Sequence, residues 1–379
     1  MTNTHLDSDT LAKFENWYGK RPEYFDRLAE RAYWFLPYIL SEVEKRGMPT
    51  EVALLPAIES TFRPDATSRA KAAGIWQFMS STGRRFGLEQ NWWIDNRRDL
   101  VSSTTAALDY LDYLSSKFNG DWELAFAAYN AGEGRVGRAI KKNIQQNLPS
   151  YYSFLDLSKE TKQYIPKLIA VRNIVSNPEK YGITLKDIPV KQVLDTIDAE
   201  SQTDLAVVAS LIDIPMERLA FFNRNYKRGV THPKGPHMIT IPTELSEILT
   251  SKLANLTARE RLRWARHRVK KGEYLGKIAR KHSVTVDSIM DTNNLSSNLI
   301  KPGQELRIPI STGRHNYNTS SRYKPIKIKE GDTLYVVQSG DSLWAIANRA
   351  NIRLSNLLSW NNMTKRTRLY PGQKLIVGR

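Results

Sequence analysis

The strongest constraint on this chain is that part of it occurs twice. The stretch HRVKKGEYLGKIARKHSVTVDSIMDTNNLSSNLIKPGQELRIP begins at His267, and YVVQSGDSLWAIANRANIRLSNLLSWNNMTKRTRLYPGQKLIV begins at Tyr335. Val269/Val337, Gly272/Gly340, Leu275/Leu343, Ile278/Ile346, Ala279/Ala347 and Asn294/Asn362 keep one constant offset. A single inserted residue then brings Pro302-Gly303-Gln304 onto Pro371-Gly372-Gln373. Internal repetition means that one supersecondary unit is used again. Alternating apolar residues at both ends and helical spacing between them predict strand, helix, helix, strand in about 45 residues. A fainter third copy lies upstream: Leu205-Ala206-Val207-Val208-Ala209, then Asn223, then Ile239-Thr240-Ile241-Pro242. It lacks the glycine turn and is expected to serve as a structural spacer.

These repeats divide the second half of the chain. Modules are expected at 266–310 and 333–379, with a degenerate one at 186–245. The polar, basic segment 311–332 between the two clear copies is expected to be a flexible linker. The first half has a different texture. Trp17, Phe25, Leu28, Trp34, Phe35 and Tyr38 recur at helical spacing, which predicts a helical arm over 1–45. Residues 50–180 read as helical throughout, closed by Pro178 and Gly182.

The formal charge of +17, from 56 Lys and Arg against 39 Asp and Glu, calls for anionic surroundings. Residues 259–330 hold 17 of those cations against 6 acids. No motif for base or phosphate recognition accompanies them, so nucleic acid is not the expected partner. An acidic polymer or an anionic membrane surface accounts for the charge. Cysteine is absent, so disulfides, thiolate metal sites and a lipid-carrying N-terminal Cys are not expected. The six His are scattered, so neither a metal nor a cofactor is expected. No apolar run reaches the roughly 20 residues that span a bilayer. The first residues lack a basic n-region followed by an apolar h-region, so an exported form would have lost its signal.

Chemistry is expected around Glu59. It follows the apolar run Val52-Ala53-Leu54-Leu55-Pro56-Ala57-Ile58. If that run is helical, residues 52, 55 and 59 share one face, and the carboxyl points into apolar surroundings. Such a group is either a hydrogen-bonded structural pin or a tuned acid. The loop after it, STFRPDATSRAKAAGIWQF, is small and polar and ends in Trp76 and Gln77, suited to wrapping a ligand. Downstream, LAFAAYNAGEGRVGRAI is an apolar helix ending in Tyr129-Asn130 and a Gly132-x-Gly134 turn. It also reads as an ordinary Gly-closed helix end. In ETKQYIPKLIA, Glu160 and Tyr164 stand four apart on one helical face, as they would in any amphipathic helix.

The blocks ES-x-F-x-P-x-A-x-S…AAGIWQFM, AAYNAGEGRV and ETKQYIPKL, in this order, resemble the lytic murein transglycosylases with a soluble-lytic, goose-lysozyme-like catalytic domain. The repeats resemble LysM modules, which bind N-acetylglucosamine polymers. The resemblance implies a multidomain chain: an all-α lysozyme-like catalytic domain over 46–185, then small α+β (βααβ) LysM modules. It implies that Glu59 is the single catalytic acid, protonating the bond between N-acetylmuramic acid and N-acetylglucosamine. The C6 hydroxyl then closes on C1 to leave a 1,6-anhydro end. Ser60, Ser68, Gln77, Met79, Tyr129, Asn130, Glu160 and Tyr164 would line the saccharide groove, although Glu160 equally suits a helix-start residue paired with Lys or Arg.

In the last module, Gly340, Asp341, Ser342 and Leu343 on one loop and Tyr370 and Pro371 on another would flank a glycan groove. The middle module carries Glu273 and Tyr274 where the last has Asp341 and Ser342. The family commonly has Pro after Gln77-Phe78-Met79, where this chain has Ser80. The resemblance further implies a monomer acting on peptidoglycan strands, on the periplasmic side of a bacterial envelope. A hydrolytic muramidase would need a second carboxylate about 5–9.5 Å away. Glu51, Asp65 and Glu133 are the nearest in sequence, and all three read as surface or cap residues. A catalytically silent binding protein would keep the modules without the acid.

Overall fold

The structure is a computed structural model that describes residues 8–257, 260–262, 264–282, 284–293, 295–309, 333–337, 343–350, 352–361, 363 and 374–378. The expected linker at 311–332 lies outside them. The chain divides into two compact units, Met1–Gln202 with Phe221–Thr250, and Thr203–Ala220 with Ser251–Arg379.

The first unit is built on helices α1 (Ser8–Gly19), α2 (Pro22–Lys45), α3 (Leu55–Glu59), α4 (Ser80–Arg85), α5 (Leu100–Lys117), α6 (Trp122–Ala131), α7 (Glu133–Gln145) and α8 (Lys159–Ser176). Helix α6 is its axis. Ala125, Phe126, Ala127 and Ala128 have no exposed surface, and α5, α7 and α8 pack around them. A helix apolar on all sides has to be surrounded in this way. Three caps set where the surrounding elements begin. Asp99, Asp121 and Ser158 accept from the backbone N–H of Ser102, Leu124 and Thr161 at 2.7, 3.0 and 3.3 Å.

The leading helices belong to the same core. Phe25, Phe35, Ile39 and Val43 of α2 are buried in it, and α1 packs on α8. The expectation of helix throughout 50–180 fails at 60–79 and 86–99, which hold loops with isolated bridges such as Thr67 to Ala73 and Ala73 to Phe78. Gly74, Gly87 and several non-glycine residues with positive φ interrupt any helix there.

Next along the chain come β1 (Leu194–Asp198), α9 (Leu205–Leu211), α10 (Met216–Phe222), β2 (Met238–Pro242) and α11 (Ser246–Ala254). Strands β1 and β2 pair antiparallel. The second unit contains β3 (Trp264–Arg268), α12 (Leu275–Lys281), α13 (Val286–Asn293) and β4 (Glu305–Pro309). They are followed by β5 (Thr333–Val336), α14 (Leu343–Arg349), α15 (Leu354–Trp360) and β6 (Lys374–Gly378). Each copy closes one antiparallel pair, β3–β4 or β5–β6, over its own small core. The expected order, an all-α domain followed by α+β modules, is therefore the order observed.

One asparagine repeats with the strands. Asn223, Asn293 and Asn361 each donate through Nδ2 to the backbone carbonyl of a strand residue and accept that residue's N–H. The residues held are Thr240, Arg307 and Ile376, at 2.6–2.8 Å. Both backbone groups of the strand edge are thereby satisfied. This clasp uses Asn293 and Asn361, the neighbours of the pair Asn294/Asn362 matched by sequence.

Candidate active site

Glu59 ends a broken helix. Thr50–Leu54 is a 3₁₀ turn and α3 starts only at Leu55, so the run is not one continuous helix. Pro56 is the reason. It has no N–H to reach the Val52 carbonyl, and its ring would clash with that carbonyl in an unbroken helix. Val52 and Leu55 are nevertheless buried, and Glu59 keeps partial exposure.

The chain leaves Glu59 through an unusual turn. Thr61 and Phe62 both adopt left-handed backbone, with φ of +56° and +52°. For a buried Phe this conformation is costly and persists only where its surroundings impose it. They do so here. Tyr24 of α2 donates to the Ala57 carbonyl at 3.1 Å, and Arg31 donates to the Thr61 carbonyl at 3.3 Å. Ser60 donates to the Ile75 carbonyl at 2.8 Å and accepts from the Arg63 N–H at 3.2 Å.

The loop itself is held by a consecutive pair of arginines. Arg97 donates to the carbonyls of Lys71 and Phe78 and makes a two-pronged pair with Asp95. Arg98 donates to the carbonyls of Pro64 and Ala66 and to the Thr67 hydroxyl. Gly74 has φ +84°, and a Cβ there would stand 1.8 Å from the Arg97 carbonyl oxygen. The Arg97–Arg98 clasp was not legible in the sequence, because an RR dipeptide looks like solvated charge.

The carboxyl of Glu59 is withdrawn from water, and Tyr164, Glu160 and Lys167 act on it. Burial raises its pKa to about 7, a hydrogen bond from Tyr164 opposes the rise, and the charge of Glu160 adds to it. Tyr164 Oη donates to Glu59 Oε1 at 2.6 Å. Burial, then the Glu59 charge, holds the phenols of Tyr164 and Tyr129 far above their usual range, so both remain donors. Tyr129 donates to the Trp76 carbonyl at 2.8 Å, and its ring meets Phe78 edge-on.

The other expected groove residues take varied places. Gln77, at φ +50°, donates to the Gly74 carbonyl at 2.7 Å. Met79 is 44% exposed. Asn130 accepts from the Thr161 hydroxyl at 2.9 Å. Ser68 is exposed and closes a turn by accepting the Ala72 N–H at 3.0 Å. Ser60 is buried and engaged within the loop. Glu160 is exposed in the first turn of α8. Among the described residues it has no ion pair. Ser80 makes good the missing proline: it donates to Gln90 Oε1 at 2.6 Å, and Gln90 donates back to the Ser80 carbonyl at 3.0 Å.

The remaining carboxylates are bound to arginine. Asp65 pairs with Arg63 at 3.0 Å and Glu133 with Arg85 at 2.7 Å. Glu51 is neither a surface nor a cap residue. It is 6% exposed and pairs with Arg172 of α8 at 3.1 Å.

Family models match this arrangement segment by segment. A transglycosylase SLT domain matches residues 38–149, and LysM domains match 267–309 and 335–378. The LysM-like domain of lytic transglycosylase MltD matches 193–258. The chain is also 34% identical to membrane-bound lytic murein transglycosylase D of Escherichia coli K12, over 97% of this chain and 81% of that one. The chain belongs to the LysM-bearing lytic murein transglycosylases of this D type. A putative tributyltin chloride resistance protein of an Alteromonas strain is 38% identical over 43% of this chain and 79% of its own. The 70 kDa soluble lytic transglycosylase of E. coli is 24% identical over 34% of this chain and 23% of its own, with a TM-score of 0.29. In this transglycosylase, α8 lies beyond the matched SLT segment yet supplies Tyr164, the hydrogen-bond donor to Glu59.

The modules of the transglycosylase differ in the sequence of their loops. Gly340, Asp341, Ser342, Tyr370 and Pro371 lie outside the described residues, and Leu343 opens α14. In the middle module, Glu273 accepts the Lys270 N–H at 2.9 Å and the His267 Nε2 hydrogen at 2.8 Å, contacts that bring its pKa down to about 2. Tyr274 accepts from Arg280 at 2.8 Å. The Glu273 carboxylate and the Tyr274 hydroxyl are therefore engaged within the module.

Proposed function

We propose that the chain cleaves the β-1,4 bond between N-acetylmuramic acid and N-acetylglucosamine without water, leaving 1,6-anhydromuramic ends. The observation that carries this reading is one desolvated carboxyl, Glu59, with a pKa near neutrality and a tyrosine donor on one oxygen. Of the carboxylates nearest in sequence, those of Glu51, Asp65 and Glu133 are committed to arginines, and Glu160, whose charge reaches Glu59, is exposed in the first turn of α8.

Protonated Glu59 gives its proton to the glycosidic oxygen as the C1–O bond breaks. The substrate's own 2-acetamido oxygen meets the positive charge at C1. Glu59, now a carboxylate held by the Tyr164 hydroxyl, takes the proton of the C6 hydroxyl. O6 then bonds to C1 and displaces the acetamido oxygen, so Glu59 ends protonated as it began. Tyr129, Gln77, Met79, Asn130 and Glu160 border the path of the glycan, whereas Ser60 and Ser68 shape its loop. Residues 46–185 form the catalytic part, and the LysM modules hold the glycan. The last module does so through Gly340–Leu343 and Tyr370-Pro371. The reaction belongs to the carbon-oxygen lyases and takes place at the periplasmic side of the envelope.

Mass spectrometry of fragments released from purified sacculi tests this, with Glu59→Gln alongside. Anhydro ends from wild type alone support the reading. Ordinary reducing ends would make the protein a hydrolytic muramidase. Binding without release would leave a catalytically silent LysM protein.

A further inference from the structure

The three modules share one frame, so each can be compared with the other two. Strand pairing sets Thr196 opposite Thr240 in the first, Arg266 opposite Arg307 in the second and Leu334 opposite Ile376 in the third. The position is equivalent in all three, because Thr240, Arg307 and Ile376 are the residues clasped by the recurring asparagines. Two of the modules fill it with uncharged pairs. In the first, the two threonine hydroxyls meet at 3.3 Å. The middle module alone sets two cations side by side. Cross-strand partners share one face of the sheet, and like charges there are unfavourable. The fold does not require the arginines.

Neither arginine is held in an ion pair among the described residues. Both side chains are exposed. They line an open cleft of about 430 Å³ with Thr292, Asn293, Glu305 and Leu306. The Thr292 hydroxyl oxygen is buried and has no hydrogen-bond partner. The side chain of Asn293 is occupied by the clasp. Glu305 brings one negative charge to the edge of the cleft. The loop of this module that would hold glycan is engaged internally through Glu273 and Tyr274.

We propose that the Arg266–Arg307 cleft of the middle module binds a carboxylate of the peptidoglycan stem peptide. This inference rests on the chain's being a peptidoglycan enzyme, but not on Glu59 or the anhydro product. Two guanidinium groups side by side offer planar pairs of N–H donors that match a carboxylate. Glu305 then favours a terminus that carries an ammonium beside its carboxylate over a bare anion. The middle module would thus read the peptide while the last module engages the glycan.

Calorimetric titration of the full chain with soluble stem peptide tests this, using the free acid and the same peptide with amidated carboxyls. Wild type is expected to bind the free acid at least about tenfold tighter, as loss of a charge-assisted pair implies. Arg266→Thr/Arg307→Thr, the pair that the first module itself carries, is expected to bind both forms as weakly as wild type binds the amide. Lys270→Gln/Lys271→Gln removes equal charge nearby and should keep the difference. Equal binding of acid and amide by wild type, or a difference that survives in the threonine variant, would overturn the proposal. Arginine-dependent binding to phosphatidylglycerol vesicles without acid–amide discrimination would overturn it in favour of a lipid site. Stem-peptide binding involves no bond cleavage, so its outcome is separate from that of the sacculus digestion.

Discussion

At the residue scale, the proposed mechanism has Glu59 tie stability and activity to pH in the same direction. Its folded pKa, near 7, lies above the unfolded value near 4.5. The folded state holds the proton more tightly, so stability is whole below the unfolded value and declines as pH rises through about 7. Glu59→Gln removes that cost. It should unfold at higher denaturant than wild type at pH 8, by roughly 1–3 kcal/mol, and match it at pH 4. The alkaline limb of kcat/KM should fall near pH 7 in wild type, because the acid must be protonated. Tyr164→Phe removes the bond that opposes the rise, so this limb should move upward. Its kcat should drop about ten- to a hundredfold, as loss of a hydrogen bond to a charged group implies. An unmoved limb would show that the Tyr164 bond does not tune the acid. Gly74→Ala places a methyl on the Arg97 carbonyl at a positive φ. It should cost about 3 kcal/mol or abolish folding, read by thermal unfolding.

At the element scale, α8 does two jobs. It donates Tyr164 to Glu59, and through Arg172 it holds Glu51 in the 3₁₀ turn that precedes α3. Burial alone would raise the Glu51 pKa, but its backbone hydrogen bond and the Arg172 guanidinium bring it below the ordinary value. This pair therefore stabilises above the unfolded carboxyl pKa and is lost as pH falls below it. Glu51→Gln should cost about 2 kcal/mol at pH 7, since Arg172 loses a partner in a partly buried place. The cost should shrink by pH 3, where the wild-type pair weakens as well. Urea unfolding at the two pH values measures the difference. The loop between α3 and α4 shows a similar economy. It has almost no secondary structure of its own, and its shape is held by arginine side chains from residues 97 and 98.

At the scale of the whole molecule, one catalytic part is joined to several small binding modules. Linked weak sites raise affinity for a polymer by making each later contact intramolecular. A chain shortened to residues 1–258 should keep its turnover on short soluble glycan strands. It should lose about tenfold or more in retention on sacculi, measured by co-sedimentation. Equal retention would show that residues 1–258 carry the binding.

The repeat frame, the largely helical first half and the family were legible in the sequence. All are carried by local pattern: spacing, composition and short motifs. The tertiary structure decided the rest. Pro56 broke the helix that spacing had predicted, and distant partners turned an arginine dipeptide into the clasp of the loop that follows Glu59. Glu51 became a buried pin because Arg172, remote in sequence, comes to meet it. The Arg266–Arg307 pair became visible only when strand register set two separated residues side by side. Contacts between residues far apart in the chain leave no periodic trace in the sequence, and they determine what each charge does.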